Sequence, residues 1–144
     1  MSRNKPASTT MVKVENIDFS HQDIFSVVDS FYRQVAQDQL LKEPFKSVQD
    51  WPEHIERLTH FWWIRFGGQP YMFSQYNPIL KHFYAGFNRK LLEHWLKLFH
   101  KVLDEKLTQQ QANLWKEISA VMGQGLNARN EMLKKQHQQQ EKNQ

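Results

Sequence analysis

Two pairs of histidines invite a search for metal chemistry: His54 with His60, and His94 with His100, each six residues apart. On a helix, six residues turn the chain by about 600°, which leaves the two imidazoles roughly 120° out of line. Neither pair grips one ion as an i, i+4 pair does. HEXXH is absent and the chain has no cysteine, which argues against zinc. The five glycines form neither GXSXG nor a phosphate-cradling loop. Glu53 and Glu56 share a helical stretch, but capping accounts for the first and a solvated face for the second. Three other polar residues carry more: Tyr32, His54 and His82 fall on apolar faces of three different helical patterns, and Trp95 on a fourth. Taken singly, each reads as a satisfied core group, since Tyr and His are often partly buried. Taken together, each needs a hydrogen-bond partner if buried, and a bound cofactor with a metal at its centre would satisfy all four.

The elements that must position these residues are helices. SHQDIFSVVDSFYRQVAQD opens with Ser20 and Asp23 at capping-box spacing, and Ile24, Val27, Val28, Phe31 and Val35 follow at helical intervals. Tyr32, four residues after Val28, shares their side. Asp50 and Glu53 start the next helix with Pro52 in its first turn, and Gly67, Gly68 and Pro70 end it. Its inner face is Ile55, Leu58, Phe61 and Trp62, and His54 shares that face. In NPILKHFYAGF, Asn77 and Pro78 begin a short helix that Gly86 closes, with His82 one turn in. Asn88 caps a fourth helix whose stripe is Leu91 or Leu92, Trp95, Leu98 or Phe99, and Val102. Thr108 and Gln111 form the capping box of the last, which buries Trp115, Ile118, Met122 and Leu126. No strand-like alternation bounded by turns is read anywhere. The expectation is an all-α fold of four longer helices and one short one.

At 144 residues the chain makes one domain. Residues 1–17 read as a disordered arm, 18–133 as the folded domain, and 134–144 as a polar, low-complexity tail. Arg3, Lys5, Lys13 and Glu15 at one end, with Lys134, Lys135, Lys142 and Glu141 at the other, account for the whole net charge of +4. The core is therefore neutral, which argues against nucleic-acid binding. No apolar run is long enough to span a membrane and no secretory signal opens the chain, so a cytoplasmic location is expected. Ten Phe, five Trp and four Tyr are many for a core of this size. Either the core is bulky or the aromatics line a pocket for a large apolar ligand.

Four segments, in order and at compatible spacing, resemble the truncated haemoglobins, and within them the third group of bacterial forms. The match runs over roughly residues 20–130. Phe31–Tyr32 looks like the family's distal tyrosine pair, and EHIERLTHFW at 53–62 is similar to its distal helix. LKHF at 80–83 stands where its proximal histidine falls, and HWLKLF at 94–99 resembles its tryptophan segment. The lack of a Gly-Gly pair near residue 40 agrees with the third group. Residues 65–78 depart from the family in being richer in aromatics. The resemblance implies a truncated globin fold, a sandwich of four longer helices plus a short proximal helix around haem b. It implies His82 as the proximal iron ligand and Tyr32, His54 and Trp95 as the distal polar cluster. It places Phe31, Leu58, Phe61 and Trp62 in the pocket wall, with Lys81 or Arg89 reaching a haem propionate.

The chemistry of such a site is coherent in itself. Haem is a flat apolar disc with two charged edges, and it wants an aromatic slot and one neutral imidazole on iron. On the opposite side, dioxygen, nitric oxide or carbon monoxide would be the ligand. Three donors facing a ligand that gains negative charge stabilise it by roughly 1.5–3 kcal/mol each if well aligned. That suits redox chemistry or detoxification of nitric oxide, dioxygen or peroxide better than oxygen storage. A nitric-oxide dioxygenase or peroxidase-like activity served by an unidentified reductase is the enzymatic form it would take. The rival reading is a haem-free globin-like helical module for protein interaction or sensing. A Soret band in the purified protein separates the two.

Overall fold

The computed structural model describes residues 5–72, except 44, 47 and 49, and residues 88–142. These form a β-hairpin, β1 (Met11–Val14) and β2 (Ile17–Ser20), and the helices α1 (His21–Val35), α2 (Trp51–Arg65), α3 (Arg89–Lys106) and α4 (Gln109–Lys142). Helix α1 packs on both α2 and α3, α3 packs on α4, and β2 touches α1 and α4. The fold is the all-α one expected, and each helix begins at its expected cap. Ser20 and Asp23 exchange side chain-to-backbone hydrogen bonds of 2.9 Å each. Asp50 accepts from the Glu53 N–H (3.0 Å) and Asn88 from the Leu91 N–H (2.9 Å). Thr108 and Gln111 complete a reciprocal pair at 3.1 and 3.2 Å. Such caps satisfy donors that the first helical turn leaves without partners. Gln111 also donates to the Asp18 carbonyl (2.8 Å) and the Asp23 carboxylate (3.2 Å), tying the start of α4 to the start of α1.

The reading of residues 1–17 as a disordered arm needs correction, as does the absence of strands. Residues 11–14 pair antiparallel with 17–20, Val12 opposite Phe19 and Lys13 opposite Asp18. Val12 and Phe19 lie on the buried face, 9% and 0% exposed. The pattern Val12, Val14, Ile17, Phe19 alternates as a half-buried hairpin does. Its two-residue turn, Glu15–Asn16, has φ of +49° and +67°, the primed geometry that matches strand twist. Neither residue is glycine, so the only cue in the sequence is the weak one of Asn16, a residue that tolerates positive φ. Helix α4 continues through the polar stretch to Lys142, over residues rich in Gln, Lys and Glu that favour helix.

The core is largely aromatic. Trp95 stacks on Phe99 (4.9 Å between centroids), and Phe99 stacks on Trp62 (5.9 Å). Trp115 sits against Trp62, Phe66 and Phe99 at 5.2, 4.9 and 5.7 Å. Phe31 meets Tyr32, Trp95 and Phe99 edge-on at 4.8–5.0 Å, so one α1 side chain joins α3 to the neighbourhood of α2. Edge-on and offset contacts of this kind add about 0.5–1.5 kcal/mol per pair beyond burial.

Candidate functional site

Helix α1 carries Tyr32 on its buried side and helix α2 carries His54 at the fourth residue from its start. Packing of α1 on α2 brings the two rings to 5.2 Å, almost perpendicular at 86°. Tyr32 is buried and His54 half-buried. Trp95 of α3 is buried, 5.0 Å from Phe31, which in turn is 4.8 Å from Tyr32. The three expected distal residues thus come from three helices, with Phe31 between Tyr32 and Trp95 and with His54 against Tyr32. Leu58 is buried in the same core. Phe61 is half-buried and edge-on to Trp62 at 5.4 Å, while Trp62 turns into the core against Phe66, Phe99 and Trp115. Arg89 is the exposed first residue of α3. His82 and Lys81 lie outside the described residues, as does the expected short helix over 77–86.

Two aromatics that sequence reasoning passed over bracket the Tyr32–His54 pair. Phe45 is 6.0 Å from Tyr32 and 6.2 Å from His54, and Trp51 is 6.3 and 5.6 Å from the same rings. Phe45 stands in the connection between α1 and α2, where no helical period announces an inward side chain. A cleft of about 850 Å³ along α1 and α2 has Tyr32, Trp51 and Ile55 in its lining. The connection itself is fastened by Asp38. Its carboxylate accepts from the N–H groups of Leu40 (2.9 Å) and Leu41 (3.0 Å) and pairs with His94 of α3 at 2.8 Å. Burial pushes the Asp38 carboxyl up, but the bonds from His94, Leu41 and Leu40 outweigh it and hold it below its ordinary value. His94, one residue before Trp95, thus anchors the connection that carries Phe45 to the helix that carries Trp95.

A second polar cluster lies where α2 ends. Gly67, at φ +97°, closes the helix: its N–H reaches Ile64 (2.9 Å) and that of Gly68 reaches Trp63 (2.8 Å). A Cβ on Gly68 would fall 2.3 Å from the Trp63 indole, which donates to the Gln69 carbonyl at 3.1 Å. The chain then passes under His60, whose Nε2 accepts from the N–H groups of Tyr71 (3.1 Å) and Met72 (3.3 Å). The Tyr71 hydroxyl shares a 2.8 Å hydrogen bond with His21 Nε2. His21, His60 and Tyr71 are each 4% exposed. Burial lowers the pKa of both histidines, with Lys5 and His60 adding to the effect on His21. Burial, assisted by Glu56, raises the Tyr71 phenol to about 12.

The described side of the site suits an anionic or polarisable small ligand: a hydroxyl and an imidazole converge from two helices, with an indole nearby and aromatic walls around them. In low-dielectric surroundings such donors count for more than in water. The family model for bacterial-like globins matches residues 15–127. A group III truncated haemoglobin from Campylobacter jejuni superposes with a TM-score of 0.67 at 24% identity, covering 81% of this chain and 93% of that one. A group II truncated haemoglobin from Bacillus anthracis gives 0.64 at 22% identity, covering 74% and 84%. No curated protein sequence matches the chain.

Proposed function

The chain belongs to the bacterial-like globin family, haem-binding proteins of truncated globin fold, and from that premise we propose that it uses haem b to bind dioxygen or another diatomic ligand for redox chemistry or detoxification. The observation that carries this reading is the meeting of Tyr32 and His54, from two helices, inside a bracket of Phe45 and Trp51. A hydroxyl beside an imidazole, walled by rings, fits the ligand-facing side of a haem. When bound, haem supplies the iron that takes the diatomic ligand. His82 would hold the iron through one imidazole nitrogen, and a hydrogen bond from its second ring nitrogen would fix the tautomer. Tyr32, His54 and Trp95 offer hydroxyl, imidazole and indole donors to negative charge on the ligand. Phe31 locks Tyr32 and Trp95 in register, and Phe45 and Trp51 limit the room around His54. Lys81 or Arg89 would meet a propionate at the pocket edge.

Absorption spectra of the ferric, ferrous and carbon monoxide-bound protein test the reading. A Soret band near roughly 400 nm is expected, as for haem proteins in general. A colourless protein after haem supplementation overturns it in favour of a haem-free helical module. His82→Ala should lose haem or hold it weakly, whereas His54→Ala should keep haem and change ligand kinetics. Wild-type haem content in the His82 variant contradicts the assignment.

A further inference from the structure

We propose that His60 is a proton-sensitive latch: its neutral imidazole fixes the backbone at Tyr71 and Met72, and a proton on Nε2 releases it. The argument starts from geometry. One ring nitrogen accepts two consecutive backbone N–H groups, at 3.1 and 3.3 Å. A nitrogen that accepts cannot carry a hydrogen, so these bonds exist only while Nε2 is unprotonated. Protonation would turn the acceptor into a donor facing two donors, and both amides would lose their partner inside a buried setting.

The neighbours reinforce this. On α1, His21 holds the Tyr71 side chain by its hydroxyl, so the two histidines grip one residue from backbone and side chain. From the N-terminal segment Lys5 faces the same group and is ion-paired with Glu56 of α2 at 3.8 Å. Burial, with Glu56 assisting, raises the Tyr71 phenol and keeps it protonated. Burial first, and then the positive charge on Lys5, opposes a proton on His21, and a proton arriving on His60 would add to this. Burial opposes a proton on His60, so the latch is closed at neutral pH and opens only on acidification. A cavity of about 100 Å³ bordered by His21, Thr59, Tyr71 and Met72 gives the released residues room to move.

Tyr71 and Met72 are the last described residues before the segment that contains His82. His60 is a positioning residue for Tyr71 and Met72, acting through their backbone amides, and the latch does not rest on the reading of His82.

Amide hydrogen exchange in the full chain tests the proposal. Protection at the Tyr71 and Met72 amides is compared between about pH 7.5 and about pH 5, a range that spans ordinary histidine titration. The Phe66 and Gly68 amides, bonded to carbonyls at 2.9 and 2.8 Å, are internal references. Wild-type protection at Tyr71 and Met72 should fall by about tenfold or more relative to the references across this interval. In His60→Gln, an amide oxygen takes the place of Nε2 and does not titrate, so protection should stay level. Level protection in the wild type, or the same fall in His60→Gln, overturns the latch. The readout does not involve haem, so a failed His82 assignment shows itself separately, as retained haem in His82→Ala.

Discussion

Tyr32 shows how one side chain can serve packing and chemistry at once. Its ring contacts Phe31, Phe45, Trp51 and His54, and only the hydroxyl at its tip distinguishes it from phenylalanine. Tyr32→Phe keeps the ring and removes the donor. If the hydroxyl holds the ligand, dioxygen should leave about tenfold to a hundredfold faster, the equivalent of roughly 1.5–3 kcal/mol. Carbon monoxide, which gathers less charge, should respond less. Stopped-flow dissociation rates decide this: an unchanged dioxygen rate removes Tyr32 as the donor, and equal changes for both gases indicate altered access. The inward placement of Tyr32, His54 and Trp95 was legible in the sequence because each is a polar or amphipathic group at an apolar helical position. Phe45 and the His21–His60–Tyr71 cluster were not. Their partners lie across loops or 11 to 50 residues away, and helical periodicity says nothing about a contact made between elements.

At the scale of elements, the caps read correctly because a cap is a local event: Ser20, Asp50, Asn88 and Thr108 each bond a backbone group three residues on. The hairpin was missed because its turn lacks the glycine that usually marks positive φ, although the alternation of Val12, Val14, Ile17 and Phe19 was present. The correction reverses an expectation about truncation. An arm without structure could be removed at no cost; β1 cannot, because its loss uncovers Phe19 and deletes the buried Val12. Burying one such side chain contributes about 1.5–3 kcal/mol. Deleting residues 1–14 should therefore lower the melting temperature by several degrees. Removal of residues 134–144, far along α4 from the hairpin, should leave it nearly unchanged. Differential scanning calorimetry of the two truncations, run side by side, checks both halves of the statement.

At the scale of the molecule, three buried or half-buried histidines among the described residues share one electrostatic direction. His21 and His60 are lowered as described, and His100, which bonds Ser119 at 3.2 Å, is lowered by burial and by Lys116 against a smaller opposing pull from Asp104. Each takes up a proton more readily in the unfolded chain. Stability is therefore full above the ordinary histidine value of about 6.5 and falls as the pH drops below it, by up to about 1.4 kcal/mol per pH unit for each such group. Asp38, whose carboxyl is lowered, adds a separate loss in the carboxylate range further down. Urea midpoints measured from about pH 8 to about pH 4 should decline in that order; a flat profile between about pH 7 and about pH 5 would contradict it. The fold supplies its own reporter for such a measurement. Trp115 is fully buried among rings, and among the described residues its indole N–H has no hydrogen-bond acceptor. An indole in a dry, non-polar shell emits light of shorter wavelength than one that solvent can reach. In haem-free protein Trp115 therefore contributes, with the other buried tryptophans Trp62, Trp63 and Trp95, to the blue edge of the fluorescence spectrum, and the loss of that edge marks the entry of water into the core.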